Sequence, residues 1–405
     1  MLKILCCIIA AGTALTHAQV RLSVREAVAQ ALASHPALAA GAEHVRATEA
    51  LRTQAGLRPN PRFVFQTENL RTWGAPTFRF GENADTYAYG SQLFETGGKR
   101  ARRVEAAGAG VRRAELEREL ASRQIAARVK QSYWRAAAAQ KVHDLLRENA
   151  ANFLQVVEYH EARVREGAMA EADLIRVTLE AERLAIDVNT AGLEADRTRI
   201  ELFRAMGSSE FPDAEFIDAF EPGGAAVTPD VARALEQRSE VRLARQEAEQ
   251  SRALRRLEEA RGRPDLDVSF GYKRASGFNT LVTGATVHLP VADRNQGNIA
   301  AASYQVRAAE ARLAAEEALV RAEVQAASRE YEIRRRQVTE SLPSLRTRAE
   351  QSSDIARAAY REGGADLLRL LDAERTRIDA QLLYFRTLAE YHQSRVALET
   401  SMGVE

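Results

Sequence analysis

The sequence predicts a mainly α-helical protein, built of long antiparallel coiled-coil helices with a small β component of four strands. Three observations carry this. Charged residues make up 28% and aromatics 6%, and Gly and Pro number only 23 and 10 in 405 residues. With Ala, Arg, Glu and Leu dominant, this is the composition of long helices with seams of small residues. Residues 99–163 run 65 positions without a proline, and one helix of that length would span roughly 98 Å. The chain is also written twice. Ala31 to Gln66 lies over Ala234 to Ser269 at a constant offset of 203, and Arg165-Glu166-Gly167 falls on Arg361-Glu362-Gly363 at an offset of 196.

The same numbers exclude several classes. Fifty-seven Lys and Arg against 56 Asp and Glu leave a net charge of +1, without the basic excess that nucleic-acid binding needs. A mean hydropathy of −0.35, with no second long apolar run, excludes a helical membrane bundle. A compact α/β enzyme would need more glycine turns and β-branched strands.

In chain order, Met1-Leu2-Lys3, an apolar run over residues 4–15 and Thr16-His17-Ala18 predict a secretory signal over 1–18, cleaved after Ala18; a buried N-terminal helix is the alternative. Cys6 and Cys7 lie inside the signal and near the start of its apolar run, where a lipid-anchoring cysteine would not sit. The mature chain then has no thiol chemistry. A first repeat follows over 19–207, then an equatorial linker over 208–228 with Pro212, Pro222, Gly223 and Gly224, then a second repeat over 229–405. Each repeat reads as a moderate helix (23–57 and 229–261), a Pro-entered strand pair, a very long helix, a turn at Arg-Glu-Gly and a return helix. The first return helix carries Leu174, Val177, Ala181, Leu184, Val188, Ala191, Ala195, Thr198 and Leu202, and the second Ile378, Leu382, Phe385, Ala389, His392 and Val396. Steps of three and four mark both as coiled-coil seams.

Between the helices the period changes to two. Leu266, Val268, Phe270 and Tyr272 alternate with Asp267, Ser269, Gly271 and Lys273, and Leu281, Thr283, Ala285, Val287 and Leu289 with Val282, Gly284, Thr286 and His288. Phe63 and Phe65 begin a third such segment, and Tyr87, Tyr89, Ser91 and Leu93 mark the apolar or aromatic face of a fourth. Nine to eleven residues with one apolar face is the length and pattern of a tilted outer-membrane strand. Trp73, Phe78 and Phe80 fall in the 71–85 connection, as an interfacial girdle or a loop-packing cluster. Four strands cannot close a barrel, and an open edge cannot face lipid. Three chains sharing one twelve-stranded barrel would leave room for a duct.

This helix–strands–long helix–return helix order with glycine-turned tips resembles the outer membrane factors of the TolC family over essentially all of the mature chain. Gln92-Leu93-Phe94-Glu95-Thr96-Gly97-Gly98-Lys99-Arg100 and 289–299 (Leu-Pro-Val-Ala-Asp-Arg-Asn-Gln-Gly-Asn-Ile) resemble the strand-to-helix junctions of its heavy-metal branch, the outer-membrane components of cobalt–zinc–cadmium efflux systems. Gly97, Gly98 and Gly297 are expected to supply positive φ there, beside Asn295. The resemblance implies the exit duct of a tripartite pump: a homotrimer in outer-membrane lipid, working with a periplasmic adaptor (membrane fusion) protein and an inner-membrane RND transporter driven by the proton gradient. The residues themselves carry no catalytic constellation, and no cofactor, nucleic acid or catalysis is expected. The resemblance also implies adaptor docking at the tips, Arg165, Glu166, Gly167, Arg361, Glu362 and Gly363.

Just after the tips the halves carry inverted charges, Asp173 and Arg176 in the first, Arg369 and Asp372 in the second. Arg369 and Asp372 fall where family ducts place their periplasmic constriction, although relatives with two acids there differ at Arg369. A ring of ion pairs closing the pore is one reading, and ordinary i,i+3 pairs within each helix are the other. No metal site is expected, since His35, His44, His143, His160, His288 and His392 are scattered; His392 is read as a satisfied packing residue. Gly108-Ala109-Gly110 lacks the preceding strand that a phosphate loop needs and reads as a close helix contact. A duct for drugs or type I secretion, and a periplasmic coiled-coil scaffold, remain as other functions.

Overall fold

A computed structural model of the chain describes residues 20–71, 73, 74, 77–223 and 226–404. The signal segment 1–18 with its cleavage position, and Gly224 of the linker, lie outside the described residues. In chain order the elements are β1 (Val20–Leu22), α1 (Val24–Ser34), α2 (Pro36–Ala55), β2 (Arg62–Glu68), α3 (Phe80–Asn83), β3 (Asp85–Phe94), α4 (Lys99–Arg165), α5 (Glu171–Ala205) and β4 (Ala214–Phe216). Then come α6 (Val231–Gln237), α7 (Ser239–Arg261), β5 (Leu266–Ala275), β6 (Phe278–Val287), α8 (Gln296–Arg336), α9 (Leu342–Arg361) and α10 (Leu367–Ser401). A five-residue π turn, Gln337–Ser341, joins α8 to α9 just before Pro343. The ring of Pro343 has no N–H to donate and clashes with the preceding turn, and wider winding accommodates it.

The two moderate helices expected over 23–57 and 229–261 are each broken, and at positions 203 apart. His35 (ψ 124°) ends α1 because Pro36 disfavours helical geometry in the residue before it. Arg238 (ψ 129°) makes the same corner without a proline. Its guanidinium is almost fully buried and pairs with Glu240 and Glu323. A buried charge is costly to leave unpaired, and keeping both partners holds the chain at this corner.

One compact unit comprises the described residues to Pro36, Ser122–Pro229 and the chain from Val324. The seam of α5 lies inward as expected, with Val177, Leu184, Ala191, Thr198 and Leu202 buried, and so do Ala389, His392 and Val396 of α10. The linker is more ordered than its sequence suggests. β4 pairs in parallel with β1, Val20 opposite Ala214. Fully buried Tyr133 fixes both, its hydroxyl donating to Leu22 O (3.0 Å) and accepting from Asp218 N (3.3 Å).

The other unit holds Ala37–Ala121 and Asp230–Glu323. Its sheet is antiparallel in the order β2-β3-β5-β6. Ser276 and Gly277, both at positive φ, make the two-residue hairpin between β5 and β6. Ala106 and Ala109 of α4 form a buried cluster with Ala253 and Leu257 of α7, and Gln246 donates to the Ala109 carbonyl. Gly108-Ala109-Gly110 is thus a close helix contact.

Candidate functional site

The strand register sorts the sheet into two faces. Phe270 sits opposite Gly90 and Thr283, and Gly90 opposite Phe63; Tyr272 sits opposite Ala88 and Leu281, and Ala88 opposite Phe65. This face is apolar and bare to the solvent of a single chain, with Phe63 75% and Leu281 74% exposed. The other face carries Asp267, Ser269 and Lys273. Tyr87 and Tyr89 lie on this polar face, opposite Lys273 and Gly271, which corrects the expectation that they mark an apolar one. The Lys273 ammonium stands 5.0 Å from the Tyr87 ring centroid, so the ring serves the charge. Small Ala88 and Gly90 occupy the apolar face of β3, leaving room for Phe63, Phe65 and Phe270. In the 71–85 connection Trp73 is 87% exposed, whereas Phe78 and Phe80 meet edge to face.

The strand-to-helix junctions depend on left-handed residues. Gly97 and Gly98 have φ of 66° and 74°, and a Cβ on Gly97 would lie 2.6 Å from Arg263 Cδ. In the second junction positive φ falls on Asn295 (60°), not on Gly297, which lies in the first turn of α8. Asn tolerates this conformation because its side chain bonds locally. Asn295 donates to the Glu258 carbonyl and carboxylate and accepts from Asn298.

Both helix tips close with the same turn. Ala168 N donates to Arg163 O and Gly167 N to Val164 O; Gly364 N donates to Ala359 O and Gly363 N to Tyr360 O. These are Schellman turns, with Gly167 (φ 73°) and Gly363 (φ 76°) in the left-handed position. Arg165, Glu166, Arg361 and Glu362 stand exposed on them.

Below the tips, Phe153, Val177, Leu184, Leu367, Leu370 and Leu371 join α4, α5 and α10 in one core, with Tyr360 of α9 packed against it. Beside it lies a cavity of about 930 Å³ crossed by polar links. Arg375 of α10 binds buried Glu180 of α5 through both Nε and Nη. Arg377 donates to Asn149 of α4 (2.6 Å). Glu374 accepts from Arg357 and Ser353 of α9. Burial opposes ionisation of Glu374, but these donors hold its carboxyl below the usual range. His160 donates from Nδ1 to the Val156 carbonyl, so its Nε2 accepts from the Tyr360 hydroxyl at 2.8 Å. None of these links was read from the sequence. The partners that link different helices lie 17 to 228 residues apart, and no local pattern announces them.

Arg176, Arg369 and Asp372 are exposed and Asp173 half-buried. Among the described residues none of the four forms an ion pair within the chain, and the i,i+3 pairs are not made. Asp366 caps α10, accepting from the Arg369 amide. His392 is a packing residue stacked on Trp134 (3.8 Å between centroids). It is not fully satisfied, because its buried Nε2 has no hydrogen-bond partner among the described residues. Burial, then the charge of Arg395, lowers its pKa to about 4.

No helix among the described residues is long and apolar enough to cross a membrane, whereas the sheet has one face suited to lipid and one to water. A four-stranded sheet of this kind on a chain of long helices is the build of an outer-membrane channel protein. The profile of the outer membrane efflux protein family matches residues 27–208 and again 231–404. The chain is 27% identical over 395 residues to the cobalt-zinc-cadmium resistance protein CzcC of Cupriavidus metallidurans, covering 94% of this chain and 90% of that one. It is 30% identical over 303 residues to the nickel and cobalt resistance protein CnrC of the same organism, covering 74% and 71%. The crystal structure of CusC, described for its transmembrane channel formation, shares the fold at a TM-score of 0.80 and 17% identity, covering 94% of this chain and 92% of that one. The chain belongs to the outer membrane efflux protein family, and it is a protein of the outer membrane.

Proposed function

We propose that this chain is one subunit of a homotrimeric exit duct through which a tripartite RND pump expels heavy-metal cations. The metal assignment rests on similarity along nearly the whole chain to a protein named for cobalt, zinc and cadmium resistance. The trimer is supported by the two free edges of the sheet, β2 and β6, which hydrocarbon does not tolerate and which twelve strands from three chains would close. A second support is a stripe on α5 opposite its seam. Ile175, Leu179, Ile186, Leu193 and Ile200 are all exposed in the single chain, at a spacing suited to a neighbouring helix. The halves 19–207 and 229–405 are structural repeats joined by the linker 208–228, in keeping with the double match of the family profile.

In this reading the tips, including Gly167 and Gly363, dock the periplasmic adaptor, and Gly97, Gly98, Asn295 and Gly297 turn the strands into the helices. Asp173, Arg176, Arg369 and Asp372 pair between chains as a closing ring. Their lack of partners within one chain leaves them available for it. The links from α10 and α9 to α5 and α4 hold the ring's helices inward. Deleting the gene should sensitise cells to cobalt, zinc, cadmium or nickel, with rescue by the intact chain. Sensitivity confined to organic drugs would overturn the metal assignment and favour a drug duct.

A further inference from the structure

The end of the sheet nearest the helices carries an unusual charge. Residues 56–62, 94–103, 261–267 and 288–298 hold nine Lys and Arg against four Asp and Glu, in a chain whose net charge is only +1. The opposite end, residues 68–85 and 273–279, holds four against three. Five of the nine cations have carboxylate partners: Arg62 with Asp267, Lys99 with Asp265, Arg102 with Glu105, Arg103 with Glu95 and Arg261 with Glu258. The remaining four, Arg58, Arg100, Arg263 and Arg294, are exposed and have no carboxylate partner among the described residues. Backbone contacts bring their positions in the chain together. Arg100 donates to the Gly56 carbonyl, the stem of Arg263 crosses Gly97, and a Cβ on Gly262 would lie 2.7 Å from the Arg294 carbonyl.

Exposed apolar side chains share this level. Leu289 (75% exposed) continues the outward alternation of β6 beyond Val287, and Phe94 and Leu57 are likewise half or more exposed. Phe94 lies opposite Leu266 on the apolar face of the sheet. Apolar side chains running directly into guanidinium groups without carboxylate partners match the boundary between acyl chains and headgroups. Guanidinium is the side chain suited to bidentate phosphate contact.

We infer that Arg58, Arg100, Arg263 and Arg294 form a belt that binds the phosphate groups of anionic phospholipids in the periplasm-facing leaflet. This rests on the placement of the sheet in the outer membrane and adds a lipid preference to it. Each arginine near an anionic surface is worth about fivefold in binding.

The test uses the full-length protein, purified in detergent, delipidated and offered phosphatidylglycerol or phosphatidylcholine, with retained lipid counted by native mass spectrometry. The intact protein should retain phosphatidylglycerol at least about tenfold better, with the preference shrinking as salt rises. The Arg58→Gln/Arg100→Gln/Arg263→Gln/Arg294→Gln variant should lose the preference, whereas Arg71→Gln/Arg79→Gln at the far end should keep it. If the fourfold variant misfolds, Arg263→Gln/Arg294→Gln alone should reduce the preference severalfold. An equal preference in variant and parent overturns the belt. So does an unchanged preference accompanied by altered ion selectivity in planar bilayers, which would put the arginines in the lumen. Failure of the protein to fractionate with the outer membrane would instead sink the placement of the sheet.

Discussion

Arg375→Met cuts the bond between α10 and α5 and leaves Glu180, among the described residues, with Arg183 of its own helix as the one remaining cationic partner, at 3.4 Å. The Glu180 side chain is 6% exposed and that of Arg375 49%. Orphaning a fully buried charge costs about 3–5 kcal/mol, and an exposed pair is worth about 0–1. The half-exposed arginine is screened by water, which puts the loss at about 1–2 kcal/mol per chain. If three such links hold one duct shut, their joint loss of about 3–6 kcal/mol favours opening by at least a hundredfold, at about 1.4 kcal/mol per decade. Single-channel recording of the purified protein in planar bilayers reads this as a raised open fraction. Glu180→Gln should raise it too, and the double variant should add little to either single one, because both remove one interaction. Closed-state conductance unchanged in Arg375→Met, in trimers that still insert, would refute the latch.

Four further outcomes are expected. Asp372→Ala and Arg369→Ala should each raise the open fraction, most at low salt where the ring is least screened, and an unchanged double variant would reject the ring. Gly363→Val, which forces a β-branched residue to φ 76°, should cost about 1–2 kcal/mol locally and abolish export while trimers stay in the membrane; normal efflux would count against docking at the tips. Phe270→Arg on the apolar face should impair assembly by roughly 2–4 kcal/mol, and Ser269→Arg on the polar face should do so much less, so equal yields of membrane-extracted trimer would reverse the strand facing. His392, lowered from 6.5 to about 4, binds its proton more readily when unfolded. Its contribution of about 3 kcal/mol is therefore complete above pH 6.5 and lost as pH falls through 4. Thermal melts of His392→Phe should be flatter over that window than those of the parent, and parallel curves would show that the ring's burial is not what titrates.

The long helices, their seams and the facing of β5 and β6 were legible because each rests on a period sustained over many residues. The tip glycines were legible because helix ends have few chemical solutions. What escaped was either short or distant. β1 and β4 are three residues each, too brief to show alternation. The corner at Arg238 has no proline and depends on Glu323, 85 residues away. In β3 the aromatic residues suggested an apolar face, whereas Ala88 and Gly90 hold that face because large neighbours on β2 and β5 fill it. Asn295 took the left-handed position that a nearby glycine seemed to claim, because its amide is tied to Glu258. The Glu180–Arg375 and His160–Tyr360 links exist only once four helices meet.

The free edges of β2 and β6 also constrain how the protein is made. A lone chain entering the bilayer would carry two rows of unpaired N–H and C=O groups into hydrocarbon, each costing several kcal/mol. In the proposed three-chain barrel, insertion and assembly would therefore be one event, with a rate that depends steeply on the number of chains waiting in the periplasm. Until then each chain would expose the Phe63–Phe65–Phe270 face to water, the kind of surface that holdase chaperones and proteases recognise. The pool of unassembled subunits should be small and short-lived, and a shortage of chains should lower the number of ducts more than in proportion.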